Sequence, residues 1–382
     1  MLLRDLTIEN YRSFEKYKLD GLARVNLLVG DNNCGKTSLL EAGYILSCRG
    51  DSAAIASVLD ERGDTTAVEE RGRVRQPVLV ARLPSLFGTK AGNNPLDCRF
   101  DLEATGFGQL AVCLMANSGL AEYAANSKHR ALLLKHPEAF VGDPNDRIVL
   151  SHHIGNKLSE KLSVQLLTRE GYLELDRFRS SAIVGGNSVN QPQESTSCFI
   201  STRSLAPELL KNIWAGLLKS SQESRAIEAV RIVLPELSGI VFLPESYSTP
   251  GTRADVLLEF NKERRSLAGF GEGVSRLLSL GATLGASQSG QLFIDEIDSG
   301  LHYSKLSDMW RMVVKAAGML DVQVFATTHS LDCIRALEAA CDGDESLRDD
   351  VALFSIDRRM DEAVRYGGDE LSAVVEHEIE VR

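Results

Sequence analysis

The sequence has no apolar run of the roughly 18 residues that a membrane-spanning helix needs. Its first residues also lack the basic region, apolar core and cleavage site of a signal peptide. They follow a strand-like pattern instead. We therefore expect a chain that stays in the cytoplasm and has no membrane partner.

Cysteine is scarce and irregularly spaced: there are seven, with no C-x-x-C pair. This excludes a zinc knuckle or a disulfide framework of the usual spacing, so most of the cysteines are expected to be small core residues. Basic residues are also few, since 42 Lys and Arg stand against 53 Asp and Glu and give a net charge of −11. That balance argues against a surface coated with positive charge for non-specific DNA binding, although a local basic groove remains compatible with it.

The chain does have an ordinary globular composition, with 43% hydrophobic residues in 382. Strand and helix patterns alternate clearly in the first 45 residues and again from about residue 255 to 355, and they weaken between these ends. We predict an α/β fold in which residues 1–108 and 250–382 form one split head. Residues 109–249 are predicted to be an inserted, mainly helical lobe for dimerisation or partner binding, with helices over 121–135 and 207–233 and a mobile loop over 185–197.

A phosphate-binding loop is the strongest motif. The sequence LLVGDNNCGKTSLLE reads G-x-x-x-x-G-K-T from Gly30 to Thr37, between a Val/Leu-rich strand and a helix. In such a loop the glycines permit a tight turn, Lys36 reaches the β- and γ-phosphates, and the Thr37 hydroxyl holds Mg²⁺. The remaining predicted phosphate-binding residues are Asn32, Asn33, Cys34, Gly35 and Ser38.

An acidic pair ends a second buried-type strand, in the sequence QLFIDEIDSGLH at 291–302. Asp295 is placed to hold Mg²⁺ opposite Thr37, and Glu296 is placed to orient and deprotonate the attacking water. A third strand, VQVFATTHS at 322–330, carries His329 where a parallel sheet would bring it to a γ-phosphate or to that water. The three strand ends together predict an ATP hydrolysis site.

A glycine cluster at Gly269, Gly271 and Gly273 opens another predicted helix, just before the acidic strand. A helix that begins this way is a second candidate for binding an anion at its amino terminus.

Four blocks in this order resemble the ABC-type ATPases that include SMC proteins, RecF and the OLD-like ATPases. The blocks are IENYRSF at 8–14, GEGVSRLL at 271–278, DEIDSGLH at 295–302 and TTHS at 327–330, and the OLD-like group is the most similar. The chain departs from the pattern in three ways. Gly271 stands where many signatures carry serine, Gln76 is only a candidate for the coupling glutamine, and too few residues follow His329 for a Toprim nuclease domain.

The resemblance implies a head-to-tail homodimer that encloses ATP and Mg²⁺. One copy would supply Lys36, Thr37, Asp295, Glu296 and His329, and the second copy would supply Gly271, Glu272 and Gly273. Arg12, in the arginine position of the family's Y-R-S-F block, would line the nucleotide.

The resemblance also implies that the ATP-bound dimer is a switch for DNA engagement or for a separately encoded effector or nuclease, in bacterial defence against phage. A RecF-like role in DNA repair is the alternative. A transporter subunit is disfavoured by His302, where transport ABC proteins usually carry aspartate. A GTPase is disfavoured because NKER at 261–264 lacks the aspartate that reads guanine.

Overall fold

The computed structural model describes residues 2–68, 78–88, 98–116, 125, 130, 135, 147–155, 160–167, 172–174, 197–201, 207–243, 256–260 and 263–376. Most of the predicted helix at 121–135, most of the predicted loop at 185–197 and Gln76 lie outside these residues. In the described ranges, no helix has the length and apolar character that would let it cross a membrane.

The first half of the chain is rich in strands. Its elements are β1 (Asp5–Tyr11), β2 (Phe14–Asp20), β3 (Val25–Val29), α1 (Lys36–Ser47), α2 (Ser52–Arg62), β4 (Thr65–Val68), β5 (Val78–Arg82), β6 (Cys98–Ala104), β7 (Gly108–Ala116), β8 (Arg147–Ile154), β9 (Glu160–Leu167), β10 (Tyr172–Glu174) and β11 (Ser197–Ile200).

Helices and strands alternate in the second half. Its elements are α3 (Pro207–Lys219), α4 (Glu223–Arg231), β12 (Leu237–Phe242), β13 (Val256–Phe260), β14 (Glu263–Ser266), α5 (Glu272–Ala286), β15 (Gln291–Ile294), α6 (Leu306–Met319), β16 (Gln323–Thr327), α7 (Leu331–Asp342), β17 (Val351–Ser355), β18 (Val364–Gly367) and α8 (Leu371–Glu376).

The central sheet has the strand order β11-β15-β16-β3-β17-β18, and every pair in it is parallel except β17 with β18. All residues of β3, β15 and β16 are buried. Successive side chains point to opposite faces of the sheet. Leu28, Phe293 and Phe325 pack in one apolar cluster, whereas their chain neighbours pack in another with α5, α6 and α7. The predicted α/β class is confirmed, and helices or strands cover both faces of its parallel sheet.

A second six-stranded sheet, β2-β1-β6-β7-β8-β9, is antiparallel throughout. It shares an apolar cluster with α1 and α2, and α1 packs against both this sheet and the central sheet. The shorter sheets are β10-β5-β4 and β12-β13-β14.

The region predicted to be a mainly helical insert differs from that prediction in its described residues. Strand β7 runs across the predicted boundary between residues 108 and 109, and β8 and β9 extend the same sheet. The apolar run of β7, LAVCLM, has no periodicity that would distinguish a strand from a buried helix. The segment forms a strand because it pairs with β6 and β8.

Helices do occur later in the insert, but the single helix predicted over 207–233 is two. It is broken at Ser221, whose φ of 55° lies in the left-handed region that no helix continues through. Before these helices, the chain enters the central sheet as β11, which pairs with β15.

Candidate active site

The G-x-x-x-x-G-K-T loop joins the end of β3 to the start of α1, as its sequence predicts. Gly30 and Gly35 have φ values of 144° and 104°, which favour glycine. A Cβ on Gly35 would lie 2.4 Å from Phe14 Cζ, and one on Gly30 would lie 2.5 Å from the carbonyl oxygen of Ile356. Both glycines are therefore required by backbone conformation and by space.

Lys36 places its ammonium group over this loop. Its Nζ donates hydrogen bonds to the carbonyl oxygens of Gly30 at 2.7 Å and Asp31 at 2.9 Å. Cys34 Sγ lies 3.9 Å from the same nitrogen. Burial raises the pKa of the Cys34 thiol, and Lys36 opposes this only in part. The thiol is therefore neutral near pH 7 and places no negative charge beside the Lys36 ammonium group.

Asp295 meets the loop at the carboxyl end of β15. The Thr37 hydroxyl donates to both of its carboxylate oxygens at 3.1 Å, and the Thr327 hydroxyl donates to Oδ1 at 2.6 Å. A hydroxyl and a carboxylate are oxygen donors of the kind that Mg²⁺ prefers, and Mg²⁺ commonly takes only one or two protein carboxylates beside the phosphates. The donor set of Thr37 and Asp295 fits that metal.

Glu296 has a strained backbone that two neighbours hold in place. Its φ of 47° is in the left-handed region, which non-glycine residues seldom adopt. Its N–H donates to the Thr327 hydroxyl at 2.8 Å, and its carbonyl accepts from Arg276 Nη2 at 3.1 Å. The carboxylate itself stays 43% exposed and lies 3.7 Å from His329 Nδ1. Both side chains are thus accessible to a water molecule in the cavity.

Arg276 links the helix α5 to this turn. Its side chain is buried, and burial lowers its pKa to about 10 despite the opposing charges of Asp298 and Glu296. The arginine still carries its proton at pH 7, so it can fix the Glu296 carbonyl as a charged donor.

Arg12 lies at the turn between β1 and β2 and reaches the same cavity. Its Nε donates to Glu41 Oε2 at 2.6 Å, and its Nη1 donates to Asp64 Oδ2 at 3.1 Å. Burial alone would lower its pKa, but its contacts with Tyr11, Glu41 and Asp64 raise the pKa above its usual value. Arg12 is therefore a permanent cation.

These groups line one cavity of about 420 Å³. Its wall is formed by Arg12, Ser13, Asn32, Asn33, Gly35, Lys36, Thr37, Ser38, Arg62, Asp295, Glu296, Thr327 and His329. Two other predicted loop residues, Gly30 and Cys34, belong to the loop without lining this cavity. The structure thus brings together the loop, the acidic pair, the histidine and Arg12.

The glycine-rich segment lies elsewhere in the same chain. Gly271, Glu272 and Gly273 are not among the residues of the cavity wall. A Cβ on Gly271 would meet nothing within 4 Å, and one on Gly273 would meet only Leu301 Cδ2 at 3.8 Å. The space beside Gly271 and Gly273, at the amino terminus of α5, is therefore largely unfilled by this chain's described residues.

Two family models match the two ends of the chain that the fold joins. The model described as an AAA ATPase domain matches residues 1–72. The model described as an AAA domain, putative AbiEii toxin, Type IV TA system, matches residues 240–332. Together these ranges contain the loop, the acidic pair and His329.

Two curated proteins are also similar to this chain in sequence. The ATP/GTP phosphatase of Helicobacter pylori (strain ATCC 700392 / 26695) is 21% identical over 348 residues, which is 88% of each chain. The DNA replication and repair protein RecF of Staphylococcus epidermidis (strain ATCC 35984) is 49% identical over 47 residues, which is 12% of this chain and 13% of RecF. The chain is an ATPase, and it resembles RecF over a short segment.

The ATPase also has a solved structural neighbour, the SMC head domain from Thermotoga maritima, with a TM-score of 0.42 and 11% identity. The match covers 96% of the ATPase and 99% of that domain. The resemblance stated from the four sequence blocks is confirmed by the family models and the relatives at the level of an ATPase related to RecF.

Sequence reasoning missed several residues of the ATPase cavity. Thr327 has no predicted role beyond its place in the TTHS block, yet its hydroxyl joins Asp295 to the backbone of Glu296. Its position, as a polar residue at the end of an apolar strand, could have indicated that it belongs to the site. Arg62 lies on no motif, and only the packing of α2 against α1 brings it to the cavity.

Proposed function

We propose that the ATPase binds ATP with Mg²⁺ in this cavity and hydrolyses it with Glu296 as the general base. The observation that carries the proposal is the approach of the Thr37 hydroxyl to the Asp295 carboxylate at 3.1 Å, directly beside Glu296. The loop N–H groups and Lys36 would bind the phosphates, and Thr37 and Asp295 would hold the metal. Bound Mg²⁺ would neutralise charge that develops on the phosphate oxygens.

In this proposal Glu296 accepts a proton from the attacking water, and His329 orients that water or the γ-phosphate. The exposure of both side chains and their separation of 3.7 Å support this division of roles. The strained turn of Glu296, fixed by Thr327 and Arg276, would keep the carboxylate aimed at one position.

We further propose that the site is completed by a second copy, whose Gly271, Glu272 and Gly273 approach the γ-phosphate. In support, these residues do not line the cavity of their own chain, and Gly271 and Gly273 leave open space beside the helix terminus. A helix amino terminus of this kind binds anions through its free N–H groups and its dipole.

Mixing two inactive variants tests the shared site. Lys36→Ala removes the cation from one copy, and Gly273→Asp places a negative charge where the partner would meet phosphate. Space is available for this aspartate, and an acidic residue is favourable in the first turn of a helix, so the variant should fold. At an ATP concentration well below the wild-type KM each variant alone should be nearly inactive. An equal mixture should recover roughly a quarter of wild-type ATPase activity, since half of the dimers are mixed and each has one intact site.

The control for that experiment is each variant mixed with itself at the same total concentration. Both variants must also show wild-type melting temperatures. A mixture that stays inactive under these conditions would place the whole site within one chain and contradict the shared arrangement.

We propose that the closed dimer, acting in the cytoplasm, engages DNA or a separately encoded effector or nuclease, in bacterial defence against phage. The motif resemblance supports the defence role. A RecF-like role in DNA repair is the second candidate, and the 47-residue match to RecF favours it. Two basic clusters of the sequence, SKHRALLLKH at 127–136 and KERR at 262–265, are candidates for contacts with DNA phosphates. The first lies mostly outside the described residues, and the second lies within them from Glu263 onward.

Direct DNA engagement predicts ATP-dependent binding that weakens as salt rises from about 50 to 200 mM, because phosphate contacts release counterions. An electrophoretic mobility shift with the purified chain measures this, and Lys36→Ala under the same conditions is the control. If no shift occurs even at low salt, the target is a protein partner and not DNA.

A further inference from the structure

Behind the wall of the cavity is a buried carboxylate that the proposed hydrolysis does not use. Glu41 lies on α1, one turn after Thr37, and its side chain is 2% exposed. It accepts hydrogen bonds from Arg12 Nε at 2.6 Å, Arg62 Nε at 2.5 Å and the Tyr11 hydroxyl at 3.2 Å. A carboxylate is costly to bury unless it is paired and hydrogen-bonded, and these three donors supply that pairing.

Each of the two arginines contacts Glu41 with one part of its guanidinium group and a second partner with another part. Each turns its Nε edge to Glu41, which holds the planar group in a fixed orientation. Arg12 Nη1 also donates to Asp64, and Arg62 Nη2 donates to the Ser38 hydroxyl at 3.2 Å. Ser38 directly follows the metal-site threonine of the loop, and both arginines line the cavity. Glu41 thus sits behind two cations that border the phosphate-binding loop.

The charges in this cluster balance. Arg12 and Arg62 carry two positive charges, and Glu41 and Asp64 carry two negative charges. The cluster as a whole therefore adds little net attraction for an anion. The cluster instead lowers the entropy cost of binding. A free arginine side chain loses rotamer freedom when it binds a ligand, and these two arginines have already lost much of that freedom.

We propose that Glu41 is a positioning residue for nucleotide binding, which holds Arg12 and Arg62 preorganised at the wall of the phosphate cavity. The inference rests on the proposed nucleotide site, and it assigns to Glu41 and Arg62 a part that no motif gives them. The two arginines meet the anionic nucleotide, and Glu41 acts only through them.

Glu41→Gln separates this role from a simple effect of charge. If orientation matters, glutamine keeps one acceptor oxygen but turns an N–H₂ donor toward the other arginine, so the guanidinium groups lose their fixed orientation and the dissociation constant for ATP rises by about 5- to 150-fold. If only charge matters, removing one negative charge leaves the cluster with a net charge of +1, and ATP binds as well or better. The two explanations predict opposite directions, and isothermal titration calorimetry with ATP measures the change.

The kinetics distinguish positioning from damage to the fold. A positioning role raises KM while kcat at saturating ATP stays within about twofold of wild type, because the metal and base residues are untouched. Arg62→Lys is the second variant: it keeps the charge but loses the planar fork, so it should weaken ATP binding in the same direction. The double variant should lose less than the product of the two single effects, since both act through one contact.

Glu259→Gln is the matched control. Glu259 pairs with Arg264 Nε at 2.6 Å and does not line the cavity, so breaking this pair should leave ATP affinity unchanged. Unchanged or tighter ATP binding by both Glu41→Gln and Arg62→Lys, in proteins that melt like wild type, overturns the inference. Lys36→Ala is run beside them. If it loses ATP binding while the other variants do not, only the role of Glu41 is wrong, and if it also binds normally, the proposed nucleotide site is wrong.

Discussion

Glu296→Gln is expected to slow ATP hydrolysis by about 10²- to 10⁴-fold, the usual contribution of a general base. Glutamine has nearly the same shape, so the strained turn and its bonds to Thr327 and Arg276 are kept. ATP should still bind, and because it is not consumed, the ATP-bound dimer should accumulate. Phosphate release at saturating ATP measures turnover, and size-exclusion chromatography with ATP measures the dimer.

Glu345→Gln is a suitable control for this prediction, since that carboxylate is exposed and lies outside the cavity wall. It should hydrolyse ATP at the wild-type rate. Normal hydrolysis by Glu296→Gln would remove the general-base assignment and direct attention to His329, which faces it at 3.7 Å.

Lys36→Ala should weaken ATP binding by about 10- to 150-fold, the range for losing a hydrogen bond to a charged group. The Lys36 ammonium is the cation that the structure holds against the carbonyl oxygens of the loop, at 2.7 and 2.9 Å. Without it the loop N–H groups must bind the phosphates alone. Fluorescence titration with a labelled ATP analogue measures the affinity.

The control for this variant is Lys305→Ala, which removes an exposed lysine outside the cavity wall. It should bind ATP normally. Unchanged affinity in a folded Lys36→Ala protein would mean that the loop is not the phosphate site.

Much of the site could be predicted because parallel strands bring their carboxyl ends to one edge of a sheet. Thr37 and Asp295 are 258 residues apart, yet the loop motif and the strand-like sequence QLFIDE were enough to expect them together. The structure places their oxygens 3.1 Å apart. The catalytic and metal-binding roles of these residues remain predictions.

Other contacts could not be predicted, for physical reasons that differ between them. Glu41 was only a helical residue in the sequence, and its pairing with Arg62 depends on how two helices pack. Strand β7 has no period that separates it from a buried helix, so its place in a sheet depends on partners far along the chain. Tertiary context decides both cases.

The place of β3 in the central sheet sets the order in which the ATPase can be completed during synthesis. Its hydrogen-bonded neighbours are β16 and β17, and Asn26 of β3 lies 298 positions before its contact at Val324. At about 5 to 20 residues per second, the ribosome needs about 15 to 60 s to make that interval. For all of this time the apolar strand that leads into the nucleotide loop has no strand to pair with. The nucleotide pocket is thus among the last parts of the nascent chain to form, and chaperones that shield apolar segments are expected to bind β3 until its partners emerge.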